Sequence, residues 1–178
     1  MAASMAANRP RPSPIITQEI PVKRHLVAAL SVAVLAALQP ATAANEPFKS
    51  EVKARQGLMQ VYAFNLGTLA AMAKGNKPYD ADAAAAAANN LKLATQMKNG
   101  GMWPKGSSLA DPEMDKRTDA KPEIWEAGSK IGERSKALGT AVASLAQSAG
   151  NGLDALKAGV GETGKACKGC HDDYRRKR

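Results

Sequence analysis

Near the C-terminus, Leu156, Val160, Thr163, Cys167, Cys170, His171 and Tyr174 recur at intervals of three or four residues. A helix puts that spacing on one face, and a strand does not. Three earlier stretches have the same character. A first helix is expected over residues 48–74, with Val52, Met59, Ala63, Leu66 and Ala70 as its apolar stripe and Gly75-Asn76-Lys77-Pro78 as its stop. A second is expected over residues 81–97, capped by Asp80 and carrying six alanines at 83–88, whose small side chains let another helix or another subunit approach closely. Asn99-Gly100-Gly101 ends it. Residues 102–121 then form the longest irregular stretch, with Trp103-Pro104, Gly106-Ser107-Ser108 and Asp111-Pro112 as turn signals. A third helix is expected from Pro122-Glu123 through Trp125, Ile131, Leu138, Val142 and Leu145, and a fourth from about Leu153 to the tail. Aromatic residues are only 4%, and no run alternates Val, Ile or Thr, which argues against a sheet. The fold class is therefore all-α, a four-helix bundle with one long crossover loop between helices 2 and 3.

Ahead of the bundle, Lys23-Arg24 precedes the apolar run LVAALSVAVLAAL, and Ala41-Thr42-Ala43 follows it. This is the pattern of a cleaved secretory signal. Thirteen helical residues reach about 20 Å, short of a hydrocarbon core of about 30 Å, so a retained span is the weaker alternative. Residues 1–43 are read as the signal and residues 44–178 as the mature, periplasmic domain with no membrane span. Four prolines lie before the basic pair, making the leading segment unusually long, and a true start near Val22 would leave an ordinary one. Removing residues 1–43 leaves 21 basic against 15 acidic residues, a net charge of +6. The one dense basic cluster is Arg175-Arg176-Lys177-Arg178, and no basic stripe interleaved with aromatics marks a nucleic-acid surface. That cluster reads as a solvated helix end or as a docking point for an acidic redox partner.

Within the last stripe stands Cys167-Lys168-Gly169-Cys170-His171. Two thiols at this spacing can each add to one vinyl group of a haem, and the adjacent imidazole can ligate the iron. The signal takes His25 with it, so His171 is the sole mature histidine, as Cys167 and Cys170 are the sole cysteines. A structural zinc site wants four such ligands. A Cys–His nucleophile pair leaves the second cysteine unexplained. A thioredoxin-like dithiol opens a helix after a strand rather than lying near the end of one. A disulfide across this spacing is strained on a helix, although export permits oxidation. A structural bundle with an inert C-x-x-C is what remains of these alternatives.

The mature region resembles the class II c-type cytochromes, the family of cytochrome c′ and its low-spin, methionine-ligated relatives; cytochrome c′ is itself a standard example of the bundle topology. The resemblance rests on Ala54-Arg55-Gln56, Ala73-Lys74-Gly75 with Pro78-Tyr79-Asp80, the stretch from Ala120 to Trp125, and the run from Cys167 to Arg175. It implies one covalent haem c held by Cys167 and Cys170, with His171 as proximal iron ligand. It further implies that Arg55 approaches a haem propionate and that Arg175 flanks the proximal histidine. Met59, one turn after Arg55, matches the distal position, where some members place an apolar side chain and the low-spin relatives a methionine as sixth ligand. Asn65 and the Tyr62-Ala63-Phe64 stretch depart from the common cytochrome c′ pattern and lean towards the low-spin branch. The expected function is a monohaem one-electron carrier that serves a redox partner protein and is not an enzyme. The alternative is a five-coordinate haem that binds NO or CO. A homodimer through small residues of the first two helices is also implied by the resemblance.

Overall fold

A computed structural model describes residues 46–177. The expected signal segment and the alternative start at Val22 lie outside the described residues. Four helices run in order: α1 (Lys49–Ala73), α2 (Ala81–Thr95), α3 (Ile131–Ser148) and α4 (Leu153–Tyr174). Two short 3₁₀ turns, Gly100–Met102 and Pro122–Trp125, punctuate the connection between α2 and α3. Among the described residues no strand forms, and the one β-bridge is an isolated antiparallel pairing of Ala120 with Arg175. None of the described helices is long and apolar enough to cross a membrane.

Tyr79 fixes the direction of the helices. Its hydroxyl donates to the carbonyl of Ala149 at 3.0 Å and accepts the N–H of Gly152 at 2.9 Å. The α1–α2 and α3–α4 connections therefore share one end of the bundle, so α1 and α3 run towards that end and α2 and α4 away from it. The crossover, the start of α1 and the end of α4 occupy the opposite end.

The main core joins Leu69 and Met72 of α1, Ala84, Ala87, Ala88 and Leu91 of α2, Val142 and Leu145 of α3, and Leu156 of α4. Three of the six consecutive alanines are thus buried inside the chain, where their size allows close helix contact. Asp80 caps α2 as expected, its carboxylate accepting the N–H of Ala83 at 2.9 Å.

One boundary and one buried face differ from expectation. The third helix begins at Ile131 rather than at Pro122, because Glu126 is extended and Gly128 stands at φ +84°, so the Pro122–Trp125 turn closes on itself before the helix starts. On α1 the buried positions are Val52, Arg55, Leu58, Asn65, Leu69 and Met72, while Met59 and Ala63 are exposed. Apolar periodicity misplaced that face because two of its members are polar side chains with internal partners.

Of the basic tail, Arg175 and Lys177 are exposed, while Arg176 is half-buried and paired. Arg176 donates to the Asp119 carboxylate at 3.1 Å and to that of Asp115 at 2.5 Å, and its backbone N–H bonds to the Asp119 carbonyl at 2.9 Å. It is thereby tied to the crossover.

Where α3 meets α4, a Cβ built on Gly159 would lie 2.7 Å from Leu145 Cδ1 and 3.4 Å from its Cα and Cβ. Gly159→Val should therefore overpack the contact and cost about 1–3 kcal/mol, read as a lower urea midpoint with an unchanged slope.

Candidate haem-attachment site

Cys167 and Cys170 are free, half-buried thiols on the last two turns of α4. Cys170 packs into a second apolar cluster formed by Ala120, Ile124 and Tyr174 with Trp103, Trp125 and Ile131. Burial raises the pKa of both thiols; at Cys170 the neighbouring Cys167 and Asp173 add to the rise and Arg134 opposes it. Cys167 lies close enough to α1 to act with burial in raising the pKa of Tyr62, whose hydroxyl donates to the Ala94 carbonyl at 3.2 Å.

His171 is exposed overall. Partial desolvation of its ring, and then the cation of Arg175, hold its pKa below the ordinary value, with Asp172 pulling the other way. The neutral imidazole so favoured is the form that ligates a metal. Arg175 stands just past the helix end, bridged through its backbone to Ala120, with Nε 4.0 Å from Asp119. Cys167, Cys170, His171 and Arg175 thus lie together at the end of α4.

Arg55 is 3% exposed. Its guanidinium donates to Ser107 Oγ at 2.7 Å, to the Ser107 carbonyl at 2.6 Å and to Thr118 Oγ1 at 2.8 Å, and its Cζ lies 4.9 Å from the centre of the Trp103 ring. Gln56 beside it donates to the Arg117 carbonyl at 2.8 Å. Three of the five guanidinium N–H groups are used on neutral oxygens, and no carboxylate lies within ion-pair range of this buried cation among the described residues.

Met59 is 38% exposed, unlike Met72 and Met114, which fill the interior. Arg55, four positions before it, reaches Thr118, and Ala120, two residues on from Thr118, pairs with Arg175 at the end of α4. Since α1 and α4 are antiparallel, the α1 segment around Met59 is level with Cys170 and His171.

Several residues of this end escaped the sequence reading. Trp103, Ser107 and Thr118 lie in a stretch recognisable only as turns, and Tyr62 was noted only as part of a departure from the family pattern. Arg134 carried no signal of its own. Its two-nitrogen contact with the Asp173 carboxylate, at 3.0 and 2.8 Å, depends on the pairing of α3 with α4.

A helical bundle with two thiols and a neutral imidazole on the last turns of its final helix is the scaffold of a c-type cytochrome with C-terminal attachment. The donor set fits haem c, since two free thiols adjoin the imidazole and the buried guanidinium at the same end has no carboxylate within ion-pair range among the described residues. The family model described as Cytochrome C′ matches residues 50–175. Cytochrome c′ of Cereibacter sphaeroides is 41% identical over 147 residues, covering 83% of this chain and 97% of the relative. A solved cytochrome c′ from Rhodobacter Spheriodes superposes with a TM-score of 0.70 at 41% identity, covering 74% of this chain and 98% of that one. The nitric oxide complex of a mutant cytochrome c prime from Alcaligenes xylosoxidans gives 0.62 at 30% identity, covering 74% and 97%. The chain belongs to the cytochrome c′ family, haem proteins that carry covalent haem c.

Arg55→Met should remove the guanidinium donors from Ser107 Oγ, the Ser107 carbonyl and Thr118 Oγ1, of which Thr118 Oγ1 keeps the Ala120 N–H, and cost about 1–3 kcal/mol. Hydrogen exchange should accelerate first at residues 107–118, ahead of the α2–α3 core.

Proposed function

We propose that the protein is a periplasmic monohaem cytochrome that carries one electron between partner proteins, with no substrate turnover of its own. Haem c supplies the ferric–ferrous couple. Cys167 and Cys170 would hold it through thioethers, His171 would offer its neutral nitrogen to the iron, and the remaining N–H groups of Arg55 would serve a propionate. Arg175 adds a cation beside His171. Cations near a haem favour the ferrous state by offsetting propionate charge.

The observation that carries the carrier reading is Met59. It stands outside the core, level with the His171 turn, so a core-filling role does not account for it. A thioether in the sixth position favours the ferrous state and suits electron transfer. The second reading is a cytochrome that leaves that position open and binds NO or CO, and it is supported by the similarity to a protein solved as a nitric oxide complex.

A homodimer fits the outer face of α1 and α2. The Tyr62–Ala94 and Asn65–Asn90 bonds hold the two helices level there, and Val61, Phe64, Leu93 and Met97 are exposed nearby. Such an apolar stripe suits a second copy of the same face.

The ferric spectrum decides between carrier and gas binder. The wild type should be low-spin with a methionine-sulfur charge-transfer band, and Met59→Leu should turn it high-spin; a high-spin wild type would sink the carrier reading in favour of the gas binder. Phe64→Glu should convert a dimer to a monomer in sedimentation while leaving the haem spectrum unchanged, and a wild type that is already monomeric would exclude self-association.

A further inference from the structure

The start of α3 grips the attachment turn of α4 at four points. The backbone N–H of Lys130 donates to the Tyr174 hydroxyl at 2.7 Å, and the Ser129 hydroxyl approaches the same oxygen at 3.4 Å. Ile131 packs in the cluster that contains Cys170. One turn on, Arg134 directs Nε and Nη2 at a single carboxylate oxygen of Asp173, at 3.0 and 2.8 Å.

Gly169 shows how closely the guanidinium approaches. A Cβ built there would lie 3.2 Å from Arg134 Nη1 and 3.7 Å from its Cζ. Glycine weakens a helix interior, and Gly169 has no left-handed backbone that would call for it. What it provides is room: the guanidinium rests on the helix between Cys167 and Cys170 and reaches Asp173, two residues past His171. Arg134 and Asp173 have side chains 43% and 42% exposed, so as a pair they add little to stability. Geometry and charge are what such a contact can contribute.

We propose that Arg134 is a positioning residue for the haem-attachment turn, holding residues 169–173 by its contact with Gly169 and Asp173 and placing a cation beside that turn that shifts the reduction equilibrium towards ferrous haem. This rests on the haem reading above. It adds an α3 residue to the site, distinct from Arg175, which lies beyond the end of α4.

The test uses the haem-loaded protein, whose covalent haem is first verified by mass, followed by reductive titration at low ionic strength. Arg134→Gln should shift the equilibrium constant for reduction about two- to fivefold towards ferric haem, the scale of a partly exposed charge contact. Asp173→Asn should shift it in the opposite direction, and Arg134→Lys should retain most of the wild-type value. Gly169→Ala, which crowds the guanidinium without removing its charge, should shift it in the same direction as Arg134→Gln but by less. Covalent haem with an unchanged equilibrium in Arg134→Gln overturns this proposal alone. So do shifts of the same sign in Arg134→Gln and Asp173→Asn, which a purely structural contact would give. A wild-type product without covalent haem overturns both this proposal and the functional reading beneath it.

Discussion

The contact on which the site end depends is the buried cation of Arg55. Removing a guanidinium from water costs several kcal/mol unless its donors find acceptors. Here three donors meet Ser107 and Thr118, and the face of Trp103 covers the group. These acceptors belong to the crossover, a connection with no sheet and no disulfide to order it, whose ordering carries a large entropic cost. Arg55 therefore acts in both directions: the crossover solvates the cation, and the cation fixes the crossover.

The two ends of the bundle are built from different materials. Towards the Tyr79 end, alanine and leucine contacts dominate, and the Tyr79 hydroxyl joins the two short connections. Apolar packing is non-directional, so that end needs only small residues at the right period. Towards the other end, the residues around Cys167 and Cys170 are only half buried, and directional bonds take over. Lys121, Tyr174 and Arg176 tie the end of α4 to the crossover, and Ser129, Lys130 and Arg134 tie it to α3. A structure that must present a cofactor-binding face cannot fill that face with its own side chains, and polar ties are the means left to hold it.

This division explains what was legible in the sequence. The four helices, the Asp80 cap and the Cys167–Cys170–His171 chemistry each follow from neighbours within a few positions, which periodicity and motif spacing record directly. The buried face of α1 did not, because Arg55 and Asn65 are polar and their burial depends on Ser107, Thr118 and Asn90, 25 to 63 positions away. The start of α3 was missed for a local reason of a different kind. Pro122 signals a helix entry equally well for a four-residue turn, and only the left-handed Gly128 distinguishes the two. Within the basic tail, the pairing of Arg176 was not legible because Asp115 and Asp119 are brought beside it only by the fold.

The helices that carry Met59 and His171, α1 and α4, are the first and the last of the bundle, and no short connection joins them. Their separation at the site end is set through a third body. The crossover accepts from Arg55 of α1 at Ser107 and Thr118, and a few residues later it accepts from Arg176 at Asp119 and donates from Lys121 to the Tyr174 carbonyl at the end of α4. A segment that looks like a connector in the sequence thus ties the start of α1 to the end of α4. Those ties are hydrogen bonds of fixed length, which specify position more tightly than apolar contacts do. It follows that the geometry between the Met59 stretch and the His171 turn is governed as much by Ser107 and Thr118, which touch neither residue, as by the helices themselves.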